Sequence, residues 1–268
     1  MWISHIFLIF IFFSGVDILS SEYIASLSFS DTKTLLALID VLSTLVDDIL
    51  IDISPEGDLK VSAVDPAKVA LIEIEMPHES FLEYSIKKNI SLGISTKNLS
   101  MAMTDVKRTN KVSLKGDEEN IVIVIEGIPN RTFIFRNLEI PREEIPKIDI
   151  EFPAKASVLP DPFASAISDL SAIANYINFR LTQDVLELKD SDTQKRVIRL
   201  SRENNSLLDA SVEGEVSSDY DASYLAPLSK IIKLSSALDI YMGSGIPLKI
   251  DLGLSAGGRV VYYLAPRI

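Results

Sequence analysis

The 268-residue sequence predicts an α+β chain with an internal duplication, its antiparallel sheets covered on one face by helices. Three observations predict this. Strand-like stretches alternate apolar and polar residues with period two, the pattern of an antiparallel sheet with one covered face. Two amphipathic helical stretches, 31–48 and 161–175, are each followed by the same succession of strands. A hydrophobic content of 47% with 24% charged residues is enough to build a core under such sheets.

The elements follow in order. In the first helical stretch Leu35, Leu38, Ile39, Leu42, Val46 and Ile49 recur at three-and-four spacing, with Asp31 as the cap. In the second, Phe163, Ala166, Ile167, Leu170 and Ile173 do the same, opened by Asp161 and Pro162. An alternating strand comes next in each half, "ILIDIS" at 49–54 and "YINFRL" at 176–181. A turn and a further strand follow at 55–65 and 183–192, then a third strand at 69–77 and 195–203. A second pair of helices is expected at 96–108 and 221–235, leading into "KVSLKG" and "LDIYMG". Each half thus reads strand, helix, several strands, helix, several strands, and a β-α-β-β-β unit is echoed within each half.

Between the halves lies a stretch with Pro141 and Pro146, followed by Pro153. Proline denies ladder donors and favours extended backbone, so residues 138–150 read as an extended connector. Its apolar members Ile140, Ile145 and Ile148 need a surface to sit on. At the other end, Gly257-Gly258 opens a strand through Val260, Val261, Tyr262 and Tyr263, and an apolar tail ends the chain. The chain therefore divides into an apolar extension at 1–20, a first domain at 21–137, the connector at 138–150 and a second domain at 151–268. The extension "MWISHIFLIFIFFSG" lacks a basic n-region and is short of the roughly 20 apolar residues of a membrane span. It reads as a start placed too early, as an anchor or signal, or as a packing segment.

Composition removes several function classes. There is no cysteine, which excludes disulfides, thiolate catalysis and cysteine-ligated zinc. The only two histidines, His5 and His78, are far apart in the chain, which speaks against a serine–histidine triad or a histidine metal site. A net charge of −12 opposes general attraction to nucleic acid or anionic membranes, though not a local basic patch.

Taken together, the duplicated β-α-β-β-β halves, the proline-bearing connector, "LIDISPEGDLKVSAVDPAKVALIEIEMP" with Asp65, "GSGIPLKIDL" and the terminal "YYLAPRI" resemble sliding clamps of the proliferating cell nuclear antigen family, archaeal type. The resemblance spans about 22–268. It implies two similar clamp domains, sheets outside and helices inside, in a subunit that closes with two others into a ring around duplex DNA. The subunits would join by edge strands, here around 131–138 of one chain and 195–201 of its neighbour. No enzyme activity, cofactor or metal is implied. The ring would hold DNA polymerase, flap endonuclease and DNA ligase at their substrate, be opened by a clamp loader, and reside with the nucleoid in the cytoplasm.

The same resemblance implies a pocket for partner peptides, which insert a short helical turn bearing aliphatic and aromatic side chains. Its walls would be Val64, Val69 and Leu71; Ile145 and Ile148 of the connector; Pro247; and Tyr263, Ala265 and Pro266 of the tail. On pattern alone, Val64, Val69 and Leu71 read as core. For the DNA-facing side the candidates are Lys33, Lys97, Lys107, Arg108, Lys230 and Lys233, which would touch phosphates without reading bases. Lys97, Thr104 and Arg108 are expected on one helical face. This set is thin for the family, with Leu36, Ser43, Met101, Thr104 and Ser223 standing where basic residues are common. Weak contact with DNA or a ring completed by other, more basic chains would each explain it, and a heterotrimer is favoured over a homotrimer.

Two rivals remain. Asp65 with Asp47, Asp48 and Asp52 could form paired carboxylates for metal or acid–base work. However, no glycine-rich phosphate loop accompanies them, since "GSG" at 243–245 precedes neither a Lys-Ser/Thr pair nor a helix. The other rival is a membrane-anchored scaffold that uses the apolar extension; the mature clamp itself needs no membrane.

Overall fold

The computed structural model describes residues 23–142, 145 and 149–267, so the extension at 1–20 lies outside it. The first half runs β1 (Ala25–Phe29), α1 (Thr32–Leu45), β2 (Asp48–Ile53), β3 (Leu59–Val64), β4 (Ala70–Met76), β5 (Phe81–Ile86), β6 (Ile90–Ser95), α2 (Thr96–Ala102), β7 (Lys111–Gly116), β8 (Asn120–Glu126) and β9 (Arg131–Arg136). The second half runs β10 (Ala154–Val158), α3 (Pro160–Ser171), β11 (Tyr176–Leu181), β12 (Val185–Asp190), β13 (Val197–Ser201), β14 (Leu207–Val212), β15 (Val216–Asp221), α4 (Ala222–Leu225), α5 (Leu228–Ile232), β16 (Ser235–Met242), β17 (Leu248–Leu254) and β18 (Arg259–Leu264). Each half is two β-α-β-β-β units joined by one extra strand, β5 or β14.

The strands form three antiparallel sheets, ordered β5-β1-β7-β8-β9, β14-β10-β16-β17-β18-β4-β3-β2-β6 and β13-β12-β11-β15. The middle sheet crosses from one half to the other where β18 pairs with β4. Five strands of the second half there meet four of the first. The outer two sheets are the corresponding five of the first half and four of the second. Their free ends, β9 and β13, are the counterparts of β18 and β4.

Alternation decides which face each strand covers. In β17 the even positions Leu248, Ile250, Leu252 and Leu254 are buried under the helices while Lys249, Asp251 and Gly253 look outward. In the second half Phe163, Phe179 and Tyr220 meet edge-on at centroid separations of 6.1 and 5.4 Å, and burial pushes the Tyr220 hydroxyl pKa up to about 12. Helix α1 packs against α2 and α5, and α3 against α4 and α5, so the helices of both halves adjoin.

The helix boundaries depart from the sequence reading in four places. Asp31 does cap α1, accepting from the Lys33 N–H and the Thr34 hydroxyl, but the helix stops at Leu45; Val46 caps it and Ile49 belongs to β2. Helix α3 opens at Pro160, one residue before Asp161 and Pro162, and Ile173 lies beyond the helix, 53% exposed. Helix α2 ends at Ala102, because Asp105 turns to a positive φ of 61° in the loop that follows. Pro227 divides the fourth helix into α4 and α5, since it brings no N–H to continue the ladder.

Candidate functional site

The outward face of the middle sheet carries one continuous row of side chains. Val64 on β3 stands opposite Leu71 on β4, Leu71 opposite Tyr263 on β18, Tyr263 opposite Lys249 on β17, Lys249 opposite Tyr241 on β16, and Tyr241 opposite Lys155 on β10. Three of the predicted pocket residues, Val64, Leu71 and Tyr263, are thus neighbours. Leu71 is only 6% exposed although it lies on the outward face, so it partly keeps its core reading. Val64, Val69, Tyr263, Ala265, Pro266 and Pro247 are half-buried. The Ala265 N–H donates to the Val69 carbonyl at 2.8 Å, which lays the tail beside the loop between β3 and β4. Further on, the Arg267 N–H donates to the Asp219 carbonyl at 2.8 Å, and its guanidinium sits 4.0 Å above the Tyr176 ring. The apolar tail is therefore held against both halves.

The loop from Asp65 to Val69 is shaped by its first residue. Asp65 is 4% exposed and accepts from the N–H groups of Val69 and Ala70 at 2.6 Å and of Ala67 at 3.0 Å. The Tyr224 hydroxyl of α4 completes the set at 3.0 Å, and Tyr262 donates to the Tyr224 carbonyl at 3.0 Å. Burial first, then the hydrogen bond to Asp65 and its charge, raise the Tyr224 pKa, keeping the phenol a donor. The carboxylate that the rival reading offered to catalysis is committed to holding a loop across the two halves.

Asp52, the second such carboxylate, accepts from Arg142 of the connector at 2.6 and 2.9 Å and from the Ser91 hydroxyl at 2.6 Å. A bidentate pair of this kind fixes direction as well as position. Just before it, the Leu138 N–H donates to the Gly93 carbonyl at 2.8 Å, and a Cβ on Gly93 would stand 2.0 Å from the Leu138 carbonyl oxygen. Only glycine lets the connector approach β6 so closely. The connector then passes over a groove of about 530 Å3 lined by Val46, Val64, Pro66, Ile140 and Ile145, among others. Val64 and Ile145 thus share a groove, whereas Ile148 lies outside the described residues. Among those residues no group of three or more metal-ligating side chains occurs.

On the helical side, Lys33, Lys97, Lys107, Arg108, Lys230 and Lys233 are all exposed. Thr104, Lys107 and Arg108 leave the shared face with Lys97, since they sit in the loop beyond α2. Lys230 is engaged within the chain, its ammonium 2.6 Å from the Asp40 carboxylate of α1. Lys33, Lys97, Lys107, Arg108 and Lys233 make no ion pair among the described residues. Exposed carboxylates stand among them: Asp40 on α1, Asp47 after it, Asp105 after α2, and Asp161 and Asp169 on α3. The helical face is close to electrically balanced, which leaves a weak field for phosphates.

Sequence reasoning missed Lys249, Tyr241 and Lys155, which extend the Tyr263 row, and the Arg142–Asp52 clasp. The first was readable: alternation in "PLKIDL" puts Lys249 opposite in sense to Leu248 and Ile250. The clasp was not, because its partners are 90 residues apart. No helix among the described residues is long and apolar enough to cross a membrane.

Residues 25–140 match the family model of the proliferating cell nuclear antigen N-terminal domain. A DNA polymerase sliding clamp 1 from Sulfurisphaera ohwakuensis is 30% identical over 90% of this chain and 98% of its own length. A DNA polymerase sliding clamp 3 from Sulfurisphaera tokodaii is 33% identical over 84% of this chain and 92% of its own. Among solved structures, a PCNA2–PCNA3 complex from Sulfolobus tokodaii superposes with a TM-score of 0.83 at 31% identity, covering 90% of this chain and 99% of that one. The duplicated antiparallel fold, the row at the tail and these likenesses agree: the chain belongs to the proliferating cell nuclear antigen family of DNA polymerase sliding clamps.

Proposed function

We propose that this chain is one subunit of a three-subunit ring that encircles duplex DNA and tethers replication and repair enzymes through the surface around Tyr263. The observation that carries the reading is the unmatched pair of edges. Within the chain, β18 joins β4 and fuses five strands to four. The equivalent edges, β9 and β13, have no such partner among the described residues of the same chain. Exposed Ile134 and Val197 on those edges, 45% and 37% exposed, supply apolar cover for a neighbour. Repetition of one junction between chains gives a closed ring and disposes of free sheet edges.

In this role the protein is a non-catalytic scaffold associated with the nucleoid. Polymerase, flap endonuclease, ligase and loader are the partners expected of it. The near-balance of charge on the helical face supports a ring completed by sister clamp chains, as in the two-chain composition of the PCNA2–PCNA3 complex. Native mass of the full chain, alone and with candidate sister chains, tests the assembly. A trimer of identical chains establishes a self-sufficient ring; assembly only with sisters establishes the mixed ring; a monomer under every condition refutes the reading. Changing Tyr263 and Ala265 together to charged residues should abolish partner binding with the fold intact, and circular dichroism separates that from unfolding.

A further inference from the structure

The nine strands of the middle sheet carry four cations: Lys60, Lys155, Lys249 and Arg259. Three are matched by a carboxylate on the same face, Lys60 by Glu75 at 2.5 Å, Lys155 by Asp239 at 2.8 Å and Arg259 by Asp251 at 2.5 Å. Lys249 has none among the described residues, in a chain whose 38 acidic residues outnumber its 26 basic ones. Its ammonium instead lies 4.7 Å from the Tyr241 ring centroid and 5.9 Å from that of Tyr263. Tyr241 is itself braced by Phe152 at 5.8 Å and by Lys155 at 5.2 Å. The rings steady the lysine stem and ammonium without neutralising the charge, so its hydrogen-bond donors stay available to an incoming group.

We propose that Lys249 is a specificity residue of the partner-binding surface, taking an acidic side chain of the partner peptide within two or three residues of the anchor that meets Tyr263. This rests on the reading of Tyr263 as part of that surface. Lys249 and Tyr263 are directly opposed on adjacent strands, about 5 Å apart. From Leu71 to Lys155 the row crosses four strand spacings, about 19 Å, room for about six extended residues of a partner beyond its helical turn. Of the next outward positions, Asp239 and Asp251 are neutralised by Lys155 and Arg259, and Glu73 makes no ion pair among the described residues, so a partner carboxylate meets its unmatched positive charge at Lys249. A partner with a basic residue at that point meets an unmatched like charge instead.

The test uses the full-length chain and fluorescence anisotropy with three synthetic peptides. Each carries one leucine and two phenylalanine anchors on a helical turn, followed by Glu, Gln or Lys. The Glu peptide is expected to bind about fivefold more tightly than the Gln peptide, with the Lys peptide weakest, and the preference shrinks at about 0.5 M salt. Lys249→Gln should bind the Glu and Gln peptides alike. Equal affinity of the wild type for Glu and Gln peptides overturns this proposal while leaving the pocket standing. Absence of binding by all three, or binding indifferent to Tyr263→Ala, overturns the pocket and the proposal with it.

Discussion

Replacing Asp65 with alanine removes the acceptor of three main-chain N–H groups and one phenol at a single stroke. The N–H groups are those of Ala67, Val69 and Ala70 at 3.0, 2.6 and 2.6 Å, and the phenol is Tyr224 at 3.0 Å. A buried donor left unmatched costs about 1–3 kcal/mol, and the loop can relax to let water reach some of these. Taking about 1 kcal/mol for each N–H and less for the freely turning hydroxyl gives a loss of about 3–4 kcal/mol. For a chain of this size each kcal/mol lowers Tm by about 2–4 °C, so the expected drop is about 10 °C. Asp65→Asn keeps one oxygen, able to serve Val69 and Ala70, and should lose about half as much. Tyr224→Phe deletes only the bond between the halves and should cost about 1 kcal/mol. Thermal unfolding followed by circular dichroism reads all three. An Asp65→Ala variant that loses less than about 1 kcal/mol would show that the loop holds its shape without this carboxylate, and Asn behaving like Ala would show that counting acceptors is the wrong account. Because the loop places Val69 beside Ala265, partner peptides should weaken in the same order.

Three other outcomes are expected. Ile134→Asp or Val197→Asp puts a charge on an exposed edge position, so the chain should keep its own Tm within about 2 °C yet lose assembly in native mass measurements; retention of the oligomer places the junction elsewhere. Charge reversal at Arg108 and Lys233 should reduce retention on circular DNA at low salt, whereas Asp40→Asn, which releases Lys230, should increase it; identical behaviour of all three proteins would mean that these charges do not meet phosphates. In the acid range, hydrogen bonds from Lys60, Lys111 and Arg180 hold Glu75, Glu83 and Glu215 below the ordinary value of 4.5. A depressed carboxylate pKa gives stability that is present above the ordinary value and is lost as pH falls through the depressed one. Asp58, raised by burial and by Glu75, works the other way. Unfolding midpoints should therefore be flat from about pH 6 to 8 and fall below about 4.5; a midpoint rising in acid contradicts the sign.

The strands were legible in the sequence because a two-residue period survives without knowing the partner: "YINFRL" is β11 residue for residue. Helix length was less so. The apolar spacing runs on through Met103 and Val106, but the backbone turns at Asp105, which no periodicity announces. Pro227, by contrast, was a readable break inside the expected 221–235 helix. Of the candidate surface, the Val64–Leu71–Tyr263 cluster depends on register between β3, β4 and β18, strands from opposite ends of the chain. Only the family resemblance could bring these together in advance. The engagement of Lys230 by Asp40, 190 positions away, shows the same limit from the other side, since a lysine counted as free in sequence is half-spent in space.

The fusion of the halves through β18 and β4 also decides where a closed ring can part. That joint is tied by its own connector, so its strands face each other at an effective concentration on the order of millimolar whatever the dilution. In the ring proposed above, a joint between β9 of one chain and β13 of the next would have no tether and would re-form only by encounter. The two joints would therefore differ in persistence, and the ring would open at the untethered one. Entry and exit of DNA would then rest on the strands Arg131–Arg136 and Val197–Ser201.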